Sequence, residues 1–202
     1  MRLPLRFFPS FTAYLDKENN KVHFEYLGFL ESDISCVTLH AQTCQKPHQD
    51  IVVKFVERYC QEAHKLLAQQ HLAPELLYYG KPSLENGAPN YGELSMVVME
   101  FIHGETLLVA KNRVDRVEVK GQVERAIHLL HQVDIVFGDL RKPNVMITNQ
   151  NEVRLIDFNW AGKAGEAEYP YLISPAITWP PGVEPLSLME KRHDLVMLER
   201  LI

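Results

Sequence analysis

Gly138-Asp139-Leu140-Arg141-Lys142-Pro143-Asn144, followed by Leu155-Ile156-Asp157-Phe158, decides how this chain is to be read. Asp139 and Asn144 stand five positions apart, a carboxylate and an amide on one tight loop. Asp157 comes eighteen residues after Asp139, at the end of a short apolar run. A carboxylate leaving an apolar strand costs free energy unless it meets hydrogen-bond donors or a cation. Between the two acids, Val145 to Thr148 and Val153 to Asp157 read as strands joined by the turn Asn149-Gln150-Asn151. That hairpin turns the chain back on itself, so two acids and an amide can face one place. Taken singly, each element has a plainer reading. An Asp and an Asn at this spacing can mark a surface turn, and Asp157 can cap a loop. Their joint order carries the information.

Working outward, Ile51-Val52-Val53-Lys54-Phe55-Val56 is a β-branched run with a lysine inside it. A lysine among apolar residues needs an anion or a partner, or else faces water from an edge strand. Glu62 on the following helix is one candidate partner, and Glu57 at the strand end is its rival. Phosphoryl transfer needs a base for the acceptor hydroxyl, oxygen ligands for magnesium and a cation on the nucleotide phosphates. Asp139 suits the first role, Asn144 and Asp157 the second, and Lys54 the third.

The rest of the pattern suggests an α+β chain. Strands are expected at Val22 to Leu30, Cys36 to Ala41, Leu76 to Tyr79 and Leu94 to Phe101. Helices are expected from Arg58 to Gln70 (apolar Ala63, Leu66 and Leu67, stopped by Pro74), from Val117 to Gln132, and from Leu188 onward. A strand-rich first half followed by helices predicts two lobes, with a break near Phe101 to Thr106. Residues 1–21 then form an N-terminal extension, 22–101 a first lobe and 102–202 a shortened second lobe. Ligands favour clefts between such lobes.

Composition adds bounds. With 46% hydrophobic and 23% charged residues, the 202-residue chain is ordinary globular material. A net charge of −5 argues against a nucleic-acid arm or a polybasic membrane patch, so an anionic ligand needs local positive charge. Cys36, Cys44 and Cys60 form no CxxC pair, which points to a reducing, cytoplasmic setting. No long apolar run suggests a membrane span.

Together these phrases resemble the protein-kinase superfamily over about residues 22 to 202. Val52-Val53-Lys54 is similar to the V-A-I-K strand, and Met96 to Gly104 to the strand and hinge. Phe137-Gly138-Asp139 falls at H-R-D and Asp157-Phe158-Asn159 at D-F-G. The resemblance implies ATP and Mg2+ as cofactors, Asp139 as catalytic base, and Arg141 beside the γ-phosphate. It gives the nucleotide Lys54, Glu62, Val52, the gatekeeper Met99, the hinge residues Glu100 to Ile102, and Met146. His193-Asp194 resembles the helix whose aspartate braces the catalytic loop, and His131 fits the approach to that loop. More narrowly, VVKFVERYCQEAHKLLAQQHLAPELL, GDLRKPNVM and LIDFNWAGKAGEAEYP are similar to kinase-like domains of mushroom-forming fungi.

The chain departs from the pattern in several places. Gly28 is the only glycine between Phe24 and Gln42, so the segment from Leu30 to Cys36, with Glu31 and Asp33, would have to cover the phosphates. Gly138 replaces the H-R-D arginine, as in antibiotic- and choline-type kinases. Asn159 replaces the D-F-G glycine, and a proline-rich Tyr169 to Pro181 stands where A-P-E is expected. The final helix would leave an apolar end open to a partner. The expected activity is transfer of the ATP γ-phosphate to a protein Ser/Thr hydroxyl. The alternatives are a small-molecule kinase and a pseudokinase that binds nucleotide or protein.

Overall fold

The computed structural model describes residues 9–30, 37–82, 92–110 and 113–201. The chain divides into two compact units, Met1–Arg58 with Glu75–Phe101, and Tyr59–Pro74 with Ile102–Ile202.

The first unit is a six-stranded antiparallel sheet. Its strands are β1 (Ala13–Leu15), β2 (Lys21–Phe29), β3 (Thr38–Thr43), β4 (Asp50–Val56), β5 (Leu76–Gly80) and β6 (Ser95–Glu100), in the order β1-β2-β3-β4-β6-β5. Period-2 alternation sets the two faces of β4. Ile51 and Val53 join Phe24, Leu39, Ala41, Met96 and Val98 in the core. Val52, Lys54 and Val56 point the other way, opposite Met99, Val97 and Ser95 of β6. β4 is therefore an interior strand and Lys54 is only 6% exposed, which rules out an edge lysine facing water.

The N-terminal extension expected for residues 1–21 is overturned at its end. Ala13–Leu15 pairs with β2 through Ala13↔His23 and Leu15↔Lys21, and Tyr14 is buried. The polar stretch Asp16 to Asn20 is the hairpin turn, where Asp16 Oδ1 accepts the N–H groups of Glu18 and Asn20. Glu31, Asp33 and Cys36 lie outside the described residues.

The second unit holds α1 (Gln61–Gln69), β7 (Gly104–Thr106), α2 (Leu107–Ala110), α3 (Arg116–Gln132), β8 (Ile135–Val136), β9 (Val145–Thr148), β10 (Val153–Leu155), β11 (Gly162–Lys163) and α4 (Lys191–Leu201). β7, β9 and β10 form an antiparallel sheet in the order β10-β9-β7, while β8 pairs with β11. Gly104 is required in β7, because a Cβ there would sit 2.1 Å from the carbonyl oxygen of Ile147. α3 starts where Asp115 accepts the N–H groups of Val117 and Glu118, a side-chain N-cap.

α1 starts at Gln61 rather than Arg58 and ends at Gln69, one residue from the end expected at Gln70. His71 takes φ +55, and the N–H groups of His71 and Leu72 return to the carbonyls of Ala68 and Leu67. This is a Schellman ending, with His71 in the place glycine usually takes. α4 begins at Lys191 rather than Leu188, since Leu188 bridges to Glu168. Its residues Met197, Leu198 and Leu201 are buried with α3 in the core, contrary to the open apolar end expected. Among the described residues no helix is long and apolar enough to cross a membrane.

Candidate active site

Phe137, Gly138, Asp139 and Leu140 leave β8 as a wholly buried segment without ladder partners. Buried backbone N–H groups need acceptors. Asp194 of α4 supplies them, its two oxygens accepting the N–H groups of Phe137 at 2.8 Å and Gly138 at 2.9 Å. His131 Nε2 lies 3.0 Å from the same carboxylate, which is 1% exposed. A buried charge thus meets three donors, and α3 and α4 are pinned to the loop. Gly138 has φ +80, and a Cβ there would press on the Met189 thioether at 3.2 to 3.3 Å. The loop's path therefore demands glycine, whatever else is lost with the arginine.

Asp139 is 4% exposed and its carboxylate is fully engaged. Arg141 spans it, Nε bonding Oδ1 and Nη2 bonding Oδ2 at 2.6 Å. The amide nitrogen of Asn144 donates to Oδ2 at 2.7 Å and to the Asp139 carbonyl at 2.9 Å. Burial pushes the Asp139 pKa above the usual carboxylate range, the Arg141 contacts pull it down, and the charge of Asp157 raises it again. The net shift is upward, the direction that strengthens a carboxylate as a base.

Arg141 was expected beside the γ-phosphate; here its guanidinium is occupied by Asp139 and lies 5.9 Å from the centre of the Trp179 ring. Trp179 is itself held, its ring 5.5 Å from that of Trp160 and its Nε1–H donating to the Ser174 carbonyl. Sequence reasoning missed Trp179. An aromatic inside the proline-rich stretch was the available signal.

Asn144 ends the 3-10 turn Lys142–Asn144, and its carbonyl accepts the N–H of Ile156 at 3.0 Å. With its amide nitrogen spent on Asp139, its amide oxygen is the group left for a cation. That backbone bond ties Asn144 to the segment carrying Asp157, which lies two residues beyond the end of β10. Asp157 has φ +67, a left-handed conformation that aspartate tolerates at a cost of about 1 kcal/mol or more. The cost is offset by the packing of Phe158.

Phe158 is fully buried, stacked 4.6 Å from the His64 ring and edge-on to Phe137 at 5.5 Å. Its carbonyl also accepts the N–H of Cys60, just before α1. His64 lies between Tyr59 Oη at 2.6 Å from Nδ1 and the Pro74 carbonyl at 2.8 Å from Nε2. A carbonyl only accepts, so Nε2 carries the proton and Nδ1 accepts from Tyr59. Burial lowers the His64 pKa to about 4. His64 also escaped sequence reasoning, although it sits on the same helical face as Leu67, three positions on.

The remaining expected residues are spread over both units. Val52, Lys54, Met99 and Glu100 belong to the first, with Val52 and Met99 directly opposite each other. The Glu100 N–H is spent on the Glu75 carbonyl at 2.9 Å, so only its carbonyl is left to offer adenine. Ile102, Met146 and Glu62 belong to the second, Met146 half-buried in β9 and Glu62 exposed in the first turn of α1. A cavity of about 360 Å³ in this unit is lined by Glu105, Arg113, Thr148 and Asn149, not by Asp139 or Asp157. Its arginine is already paired with Glu105, so it offers no free cation to an anionic ligand.

Among the described residues no group of three or more His, Cys, Asp or Glu is gathered for a metal. The oxygen donors near Asp139 are carboxylates and amides, a hard set that suits Mg2+ rather than zinc.

The family model described as lipopolysaccharide core biosynthesis protein (WaaY) matches residues 54–169, which hold Lys54, Asp139, Asn144 and Asp157. The serine/threonine-protein kinase PknB of Mycolicibacterium smegmatis is 29% identical over 150 residues, covering 70% of this chain and 22% of that protein. A probable serine/threonine-protein kinase, pknA2 of Bifidobacterium longum, is 25% identical over 140 residues, covering 66% and 17%. PknA of Mycobacterium tuberculosis is 28% identical over 115 residues, covering 54% and 26%. The chain thus spans about a sixth to a quarter of the length of these relatives. Since the family match takes in more than half of its residues, the chain belongs to the lipopolysaccharide core biosynthesis protein (WaaY) family, within the protein-kinase-like superfamily.

Proposed function

We propose that the chain is an ATP- and magnesium-dependent phosphotransferase that moves the γ-phosphate to a protein Ser/Thr hydroxyl. The observation that carries this reading is the contact of Asp139 with Asn144 on a loop braced by Asp194, with Asp157 tied in behind it. Asp139 takes the acceptor's proton as the acceptor oxygen bonds phosphorus. The bond from phosphorus to the β–γ bridging oxygen then breaks, and ADP leaves with that electron pair. Asn144 and Asp157 would hold magnesium, which neutralises charge on the phosphates. Lys54 serves as their cation, and Val52, Met99, Glu100, Ile102 and Met146 serve the base. Arg141, paired with both oxygens of Asp139, orients that carboxylate.

On this reading the two units are the lobes of one bilobal kinase-like domain of the fungal type. Labelled ATP and magnesium, offered with a generic protein acceptor beside a panel of small alcohols, tests it. Label on the protein supports the reading. Label on neither acceptor leaves a pseudokinase that binds nucleotide or protein.

A second reading, a small hydroxyl compound as acceptor, is favoured by the segment after Phe158. Tyr169 is 1% exposed, its hydroxyl 3.2 Å from His193 Nδ1, and Glu168 is bridged to Leu188. That segment is held by its own packing, and Gly138 stands where an arginine would anchor a phosphate on it. The description of the family, lipopolysaccharide core biosynthesis, would make such an acceptor a saccharide. Label on a small alcohol in the same assay selects this reading.

A further inference from the structure

Asn159 occupies the position that the D-F-G pattern gives to glycine. Its backbone N–H lies 3.4 Å from Asp157 Oδ1, so the two side chains spring from one turn. Its carboxamide oxygen is buried and has no hydrogen-bond partner among the described residues. A buried acceptor left unsatisfied costs about 1–3 kcal/mol. Glycine or alanine at this position would avoid that cost altogether.

The orphaned atom is a lone-pair donor, so what would satisfy it is an N–H or O–H group or a cation. Its surroundings favour the cation. Asp157 lies two residues back on the same turn, and Asp139 is close enough to feel the charge of Asp157. Asn144 is held to the same segment through Ile156. Carboxylate and amide oxygens are the ligand chemistry of magnesium or manganese. We propose that the Asn159 carboxamide oxygen is an additional ligand for the divalent cation held by Asp157 and Asn144. This ligand has no counterpart where the position is glycine. The inference rests on the phosphotransferase reading above.

The test uses Mn2+ as probe, with a non-hydrolysable ATP analogue, on the full chain. Bound Mn2+ is followed by its electron paramagnetic resonance signal, and melting is recorded with and without metal. For Asn159→Ala the half-saturating Mn2+ concentration should rise about tenfold. Its metal-free melting temperature should be equal to or above the parent's, because the orphan is gone. Asn159→Asp should bind Mn2+ more tightly than the parent. Asn159→Gly repeats the alanine test with the residue the pattern carries. Parent-like Mn2+ binding by the alanine and glycine variants overturns the inference and leaves the phosphotransferase reading intact. So does a drop in metal-free melting with Mn2+ affinity unchanged, which would make Asn159 purely structural. A parent that binds no Mn2+ with the analogue overturns the phosphotransferase reading, and this inference with it.

Discussion

Replacing Asp194 by alanine should unfold the site from below. The carboxylate is 1% exposed and satisfies the N–H groups of Phe137 and Gly138 at 2.8 and 2.9 Å, besides pairing with His131 at 3.0 Å. Alanine leaves two buried N–H groups without an acceptor, each costing about 1–3 kcal/mol. The two together give an expected loss of about 4 kcal/mol. For a chain of this size each kcal/mol moves the melting temperature by about 2–4 °C, giving a fall of about 8–16 °C. Asp194→Asn keeps one acceptor oxygen but turns an amide NH2 toward the other donor, so it should fall between parent and alanine. Urea and thermal melts of the three proteins measure this. An alanine variant within about 1 kcal/mol of the parent would show that the loop does not depend on its brace, and the argument from buried donors would fail.

Other expectations concern charge and chemistry. His64, with a folded pKa of about 4 against an unfolded value near 6.5, stays neutral while the unfolded chain takes up a proton. Stability is therefore fully present above pH 6.5 and falls by about 3 kcal/mol as pH drops to 4. His64→Leu should lack this part of the slope, and equal slopes in parent and variant would contradict the assignment. Because Arg141 holds the Asp139 pKa down, Arg141→Ala should move the acid limb of the kcat/KM profile to higher pH. Trp179→Ala should move it the same way but less, and an unmoved limb in both variants refutes the coupling. Asp139→Asn should abolish transfer while leaving ATP affinity within a few-fold, since its role is toward the acceptor. Transfer at the parent rate would remove Asp139 as base.

What could be read in the sequence follows from how local each cause is. The strands β2 to β6 were legible because β-branched alternation and flanking turns are local signals. β1, β7, β8 and β11 were not, since each is two or three residues long and too short for alternation to show; β10 was, through the turn that precedes it. Lys54 could be read as edge or interior, and pairing with β6 decides that from a distant part of the chain. The start of α1 was misplaced, at Arg58 instead of Gln61, because Cys60 before it makes no side-chain cap that would mark the first turn. Within the site, the Asp139–Asn144 contact was legible because both residues share one loop. Phe158 stacked on His64, and Arg141 lying over Trp179, join segments far apart in sequence, so neither partner could be named beforehand.

Thermal melting of the full chain with ATP, with magnesium, and with both tests the central claim most directly. If Lys54, Asn144 and Asp157 serve one nucleotide–metal site, the combination should stabilise the fold more than either component. At a hundred times the dissociation constant, binding adds about 2.7 kcal/mol, a shift of about 5–10 °C. Asp157→Ala should lose the magnesium dependence, and Lys54→Ala should weaken the response with or without metal. A parent melting curve left unmoved by about 10 mM magnesium-ATP, a concentration high enough to populate even a millimolar site, would contradict the account.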